Sequence, residues 1–306
     1  MSELSRKNIE KFLETASTIL IGKKKEIELS LVCALSNGHL LIEDYPGVGK
    51  TTMVFLLAKL LGLDLSRIQF TNDLLPADII GFNIFDKNTG DFKFKKGPIF
   101  GEIVLADELN RATPKTQSAL LQVMEERHIS VEGVDYKMPS PFIVFATQNP
   151  FKQLGTFPLP ESQLDRFFMS IFLGAPEREA EKKILMRPKI REEIQSLEPI
   201  FTVEELALIQ NTISNIHVDE KVYDYVLNIL QYCRINLQDG HAMSTRGGQD
   251  LVTASKARAF VQGRDYVTVD DVQFLAPYIF GHRVGGVHGV KMGIEKMNEL
   301  LHKIDL

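Results

Sequence analysis

Residues 39–52 read HLLIEDYPGVGKTT. The run HLLIE (39–43) is short and apolar, as a buried strand is. The apolar stretch TMVFLLAKLLGL (52–63) reads as a helix closed by glycine. Between them, Gly49-Lys50-Thr51 supplies the end of the phosphate-binding pattern G-x-x-x-x-G-K-[ST], in the strand–turn–helix order that the pattern requires. The pattern's first glycine falls on Asp44. Phosphate is cradled by backbone N–H groups, and Gly47 and Gly49 permit the close approach this needs. The helix starting near Lys50 adds its positive partial charge. Lys50 is placed to reach the β- and γ-phosphates, and Thr51 to put its hydroxyl on Mg²⁺. A carboxylate aimed at phosphate would be repulsive, so Asp44 is expected to turn away, towards solvent or a neighbouring backbone N–H.

Downstream, GEIVLADE (101–108) is a second buried-strand run and ends in Asp107-Glu108. An aspartate at a strand end can hold Mg²⁺, and an adjacent glutamate can orient and polarise an attacking water. PFIVFATQN (141–149) is a third strand, ending in Asn149, which can reach a γ-phosphate or that water. FFMSIFL (167–173) is a further short strand. Helices are expected over residues 5–36, in two pieces ending at Asn37-Gly38, and over 114–128. This alternation implies α/β architecture, a parallel sheet wrapped by helices. Two hairpins interrupt it, at 82–100 around a K-N-T-G turn and at 129–139 around Glu132-Gly133. After Gly174-Ala175-Pro176 the pattern is helical throughout, with caps at Thr202 and Thr268. A boundary is placed near 175, giving an α/β nucleotide-binding domain (1–175) and a smaller all-helical domain (176–306). Two arginines, Arg166 in LPESQLDRFF and Arg246 in STRGG, have the planar fork that suits phosphate. Each is equally suited to a surface salt bridge, and the residues alone do not choose.

The chain carries 35 basic and 40 acidic residues, a net charge of −5, which is not the basic footprint of a protein that lives on nucleic acid. The strand DFKFKK (91–96) has phenylalanines to stack and lysines for phosphates, but period-two alternation also predicts aromatics on one face and solvated lysines on the other. The two cysteines, Cys33 and Cys233, lie far apart in apolar, helix-like surroundings and read as buried thiols. No apolar run approaches the roughly 18 residues of a membrane span, and the N-terminal residues lack the apolar core of a secretory signal. A cytoplasmic location is expected.

These segments together resemble the MoxR-type AAA+ ATPases. The resemblance rests on RIQFTNDLLPADIIG, GPIFGEIVLADELNRATPKTQSALLQVMEER, FATQNP, FPLPESQLDRF and GRDYVTVDDV, and covers nearly the whole chain. Members often carry Glu-Asp before the turn, so Asp44 reads as a family habit. The resemblance implies a P-loop AAA+ core followed by a helical lid. It implies a Walker A turn in which Pro46, Gly47, Val48, Gly49, Lys50, Thr51 and Thr52 bind ATP. Asp107 and Glu108 are similar to the Walker B pair, with Thr51 and Asp107 as Mg²⁺ ligands. Asn149 resembles sensor 1, Arg166 the arginine finger acting across a subunit interface, and Arg246 the nucleotide-binding sensor 2 of the lid. Gly247-Gly248 would delay the start of that lid helix and shorten Arg246's reach. The hairpins resemble the helix-2 and pre-sensor insertions. The function implied is Mg-ATP hydrolysis in a homo-oligomeric ring, of six subunits, that remodels or activates partner proteins, including von Willebrand factor A-domain proteins. Two other classes compete: a DNA-translocating motor, and a nucleotide-gated assembly module with little turnover.

Overall fold

The computed structural model describes residues 3–88, 90–149, 155–187, 190–237 and 243–304. Helices α1 (Glu3–Ile19) and α2 (Lys24–Leu35) precede β1 (Leu40–Glu43). Helix α3 (Lys50–Leu61) leads to β2 (Leu65–Gln69). A short helix, α4 (Pro76–Ile80), opens a hairpin of β3 (Gly81–Asp86) and β4 (Asp91–Lys96), whose turn residue Thr89 lies outside the described residues. Then come β5 (Ile103–Asp107), α5 (Pro114–Glu126), a second hairpin of β6 (His128–Val131) and β7 (Val134–Lys137), β8 (Ile143–Gln148), α6 (Glu161–Leu164) and β9 (Met169–Ile171). The rest is helical: α7 (Arg178–Leu185), α8 (Ile190–Ser196), α9 (Val203–Ser214), α10 (Glu220–Asn236), α11 (Thr245–Val261), α12 (Val269–Gly285) and α13 (Val290–Leu301).

The central sheet is parallel, in the order β2-β5-β8-β1-β9. Its register is level: Leu40 pairs with both Phe145 and Met169, and Glu43 with Gln148. Glu43, Asp107 and Gln148 therefore end at one edge of the sheet, the edge at which ligands bind in open α/β folds. Residues of one strand alternate between two cores. Leu40, Ile42, Leu105 and Phe145 face α1–α3 and the C-terminal helices, whereas Leu41, Val104, Ala106 and Val144 face Leu120 and Leu121 of α5.

Strand β2 has no counterpart among the sequence expectations. It sits at the sheet's edge, only Ile68 of its residues is buried, and so it lacks the apolar run that betrays the other four. Both hairpins form where alternation predicts them, and Glu132 and Gly133 take the positive-φ pair of their tight turn. The caps at 202 and 268 also form: Glu205 N–H donates to Thr202 Oγ1, and Thr268 N–H to Asp271 Oδ2. The first core does not stop at residue 175. It runs from Phe12 and Leu57 through Phe201, Ile229 and Phe280 to Met297. The change of texture near 175 marks where strands cease, while the packing continues across it.

Candidate nucleotide site

Two adjoining clefts lie at the C-terminal edge of the sheet. One, of ≈ 440 Å³, is polar and is lined by Pro46, Gly47 and residues 49–52 of the turn together with Arg67, Gln69, Asp107, Glu108 and Asn149, while Val48 faces the second cleft. The other, of ≈ 360 Å³, shares Gly47, Gly49 and Thr52 with it and is otherwise largely apolar, walled by Ile19, Leu20, Ile184 and Leu185. A polyanion beside a flat apolar group fits this pair. Gly47 and Gly49 have φ of +86° and +95°, which only glycine adopts cheaply, and space beyond both α-carbons is open. Helix α3 begins immediately after, at Lys50, with its first N–H groups at the mouth of the turn.

Lys50 is buried, and its ammonium donates to Asp44 O, to Tyr45 O (3.2 Å) and to Asn149 Oδ1 (3.1 Å). Burial holds its pKa below the ordinary lysine value, against the pull of Asp44, Asp107, Glu108 and Glu43. Asn149 Nδ2 donates in turn to Glu108 Oε1 (3.2 Å). Glu108 stands just past β5 with φ +56°, and its second oxygen accepts from Gln69 Nε2 (3.1 Å) and pairs with Arg111 (3.2 Å). Asp107 Oδ1 accepts from Thr147 Oγ1 (2.7 Å), and the same hydroxyl accepts from Glu108 N–H (2.9 Å). Lys50, Asp107, Glu108 and Asn149, from three different strand ends, are thus joined in one network.

Asp44 turns away from the cleft, as its charge requires. It is fully buried, with Oδ1 accepting from Tyr45 N–H (2.7 Å) and Oδ2 from Gly174 N–H (2.6 Å). Asp107 Oδ2 meets the guanidinium of Arg67 at 2.7 Å, so a cation already occupies the aspartate's open side. The described residues contain no cluster of three His, Cys, Asp or Glu side chains that could hold a metal by itself. Mg²⁺ takes one or two protein ligands and completes its shell with phosphate oxygens and water. Thr51 and Asp107 line the same cleft and fit that role.

Three participants escaped the sequence reading. Arg67 and Gln69 sit on the unrecognised strand β2, and their i, i+2 spacing is the one local sign that they share a face. Thr147 lies within the quoted ATQN but shows its role only through its contact with β5.

The two arginines are elsewhere. Arg166 precedes β9, and because β9 runs parallel to β1, its start lies at the edge of the sheet opposite the phosphate turn. Arg246 is beside it, on the first turn of α11. Both pair with Glu125 of α5, Arg166 Nε at 3.1 Å and Arg246 Nη1 at 3.2 Å, in a cleft of ≈ 310 Å³ that also includes His39 and Arg127. The structure does not bring Arg246 to the nucleotide cleft of its own chain. Nor does Gly247-Gly248 delay α11, which starts at Thr245 with Ser244 Oγ accepting from Gly247 N–H (3.1 Å). The glycines answer to packing instead: a β-carbon at 247 would lie 2.9 Å from Phe280, and one at 248 would lie 2.8 Å from Leu230.

Residues 39–169 match a family model described as "ATPase family associated with various cellular activities (AAA)", and residues 235–302 match one described as "AAA lid domain". The chain is 43% identical to the uncharacterized protein YeaC of Bacillus subtilis, covering 90% of this chain and 86% of that one. It is 39% identical to Chaperone MoxR1 of Mycobacterium tuberculosis, over 90% and 75% of the two chains. A crystal structure of a candidate ATPase from Cytophaga hutchinsonii superposes with a TM-score of 0.85 at 35% identity, covering 98% of this chain and 95% of that one.

Proposed function

The chain belongs to the MoxR family of AAA+ ATPases, and from that premise we propose that it hydrolyses Mg-ATP in a cytoplasmic homo-oligomeric ring, of six subunits, to remodel or activate partner proteins. One observation carries the reading: Lys50, Asp107, Glu108 and Asn149 converge on a single polar cleft, while Arg166 and Arg246 lie at the far edge of the sheet. The base and ribose occupy the apolar cleft, and the phosphates follow the Gly47–Thr52 turn. Lys50 gives up its bonds to Asp44 O, Tyr45 O and Asn149 and turns to the phosphate oxygens. Thr51 and Asp107 would hold Mg²⁺, which supplies charge neutralisation at the β- and γ-phosphates. Asn149, already bonded to Glu108, aligns the attacking water, and a Glu108 carboxylate oxygen takes up its proton. Arg67, paired with Asp107 at 2.7 Å, would have to release that carboxylate for Asp107 to serve as a metal ligand.

Arg166 and Arg246 cannot complete the site of their own chain from the opposite edge of its sheet. They serve the nucleotide of a neighbour packed head to tail, the heterologous contact that closes into rings. An arginine supplied in trans is worth orders of magnitude in phosphoryl transfer. The hairpins favour protein over nucleic acid as the substrate of the ring. Lys93 is paired with Asp86 (2.6 Å), Phe94 packs on Tyr136 (4.4 Å), and Phe85 and Phe92 stand exposed together, an apolar surface suited to polypeptide. A von Willebrand factor A-domain protein remains the partner class the family resemblance suggests. Glu108→Gln tests the chemistry. The variant is expected to keep ATP affinity by calorimetry and to lose turnover by about 10²-fold or more. Unchanged turnover would remove Glu108 from the role given to it.

A further inference from the structure

Arg283, on α12, is almost completely buried and takes no part in the nucleotide cleft. Its guanidinium is fully engaged. Nε donates to Asp165 Oδ1 (2.7 Å), and Nη2 to Asp250 Oδ2 (2.7 Å). Nη2 also reaches the carbonyls of Asp165 and Phe167, each at 3.3 Å, and Nη1 donates to Ile279 O. Those two carbonyls bracket Arg166. Asp250 lies one helical turn beyond Arg246 on α11, on the same face. The other contacts tighten the same junction. His282 Nε2 lies 3.1 Å from Phe167 O, and Ser244, the cap of α11, donates to Asp165 Oδ1 at 3.2 Å. Gly247, adjacent to Arg246, lets α11 close on Arg283, whose Nε would be 3.5 Å from a β-carbon there.

One planar cation therefore grips the backbone on either side of Arg166 and the helix that carries Arg246. We propose that Arg283 is a positioning residue that sets Arg166 and Arg246 as one two-arginine group for the nucleotide of a second copy of this chain. The proposal rests on the shared site described above. Its physical basis is the fork itself. Arginine presents five donors in a fixed plane and can span two carboxylates and the carbonyls between them, whereas lysine offers a point charge that reaches fewer of these partners. Glu125 adds the complementary restraint, bridging the two arginine tips while no phosphate is near.

The test uses mixed assemblies of full-length subunits. Lys50→Ala subunits can donate arginines but cannot use ATP. Arg166→Ala subunits can use ATP but cannot donate the full pair. Their mixture is the reference, and no turnover at any ratio in that reference would overturn the shared site itself. R283K is then placed in one partner at a time. In the Lys50→Ala donor it is expected to lower the turnover of the mixture at least tenfold. In the Arg166→Ala recipient it is expected to leave turnover within about twofold of the reference. Equal loss in both placements, or no loss in the donor, would overturn the positioning role, because a merely structural defect does not distinguish donor from recipient. Asp250→Asn, which keeps an oxygen acceptor, shows the same asymmetry at smaller size and serves if R283K does not fold. Hydrogen exchange on the single subunit gives a readout that needs no ring. R283K is expected to speed exchange over 161–168 and 245–252 together and to leave 44–53 unchanged. Protection retained in either of the first two segments would contradict the inference.

Discussion

Asp44 is fully buried, and both its carboxylate oxygens are taken by backbone N–H groups, those of Tyr45 and Gly174. Its charge thus braces the turn from behind and leaves the phosphate side to Gly47, Gly49 and Lys50. Glu43 behaves similarly: it is buried, one oxygen accepts from Val290 N–H at the start of α13 (2.7 Å) and the other from Gln148 Nε2 (2.6 Å). Buried imidazoles carry a different consequence. His39 accepts from Val144 N–H at Nδ1 and contacts Met124 O through Nε2. Burial, reinforced by the charge of Arg127, pushes its pKa down to about 3, and burial with Arg283 holds His282 well below the ordinary value of 6.5. Both are neutral in the folded chain. Below about pH 6.5 the unfolded chain takes up protons that the folded chain refuses, so stability falls with falling pH. For His39 the loss is roughly 1 kcal/mol between about pH 6.5 and 5.5, and His282 acts in the same direction. Denaturant titrations at the two pH values should show it, and His39→Gln should lose less by about that amount. An equal loss in parent and variant would show that His39 is not held neutral.

At the scale of elements, α11 shows packing overriding propensity. Alanine at 247 would gain about 1 kcal/mol of helix propensity. Its β-carbon, 2.9 Å from Phe280 and close to Arg283, costs about 1–3 kcal/mol of overpacking. Gly247→Ala is therefore expected to lower Tm by about 2–4 °C in a thermal scan, where a free helix would gain. A raised Tm would mean that α11 does not close on α12. The same contrast decides what could be read from the sequence. The phosphate turn, Asp107, Glu108 and Asn149 are legible because each ends a strand whose apolar run announces it. Strand β2 is not, since an edge strand with one buried residue has no such run, and Arg67 and Gln69 were lost with it. Arg283 is 118 positions from Asp165, and nothing local to HRVGG marks it. The resemblance implied a subunit interface for Arg166 and the lid for Arg246, but not that the two stand together at one edge of the sheet. The parallel pairing of β9 with β1 places them at the opposite edge from the turn.

For the whole molecule, the proposed division of labour between two edges is the central claim. One edge carries the polar cleft of Lys50, Asp107, Glu108 and Asn149, the other presents two arginines, and α12 and the strands lie between them within the first core. Among the described residues no helix is long and apolar enough to cross a membrane, and both cysteines are buried, the Cys233 thiol being pushed up to about 11 by desolvation. Assembly then depends on the two faces meeting. On the proposed function, a chain with half a site at each edge is idle alone and active in company. The most direct measurement is turnover per subunit against total protein concentration at saturating Mg-ATP, with the state of assembly followed by sedimentation. Turnover per subunit should rise steeply from near zero as monomers give way to rings. A constant value, held down to concentrations at which only monomers sediment, would contradict the shared site.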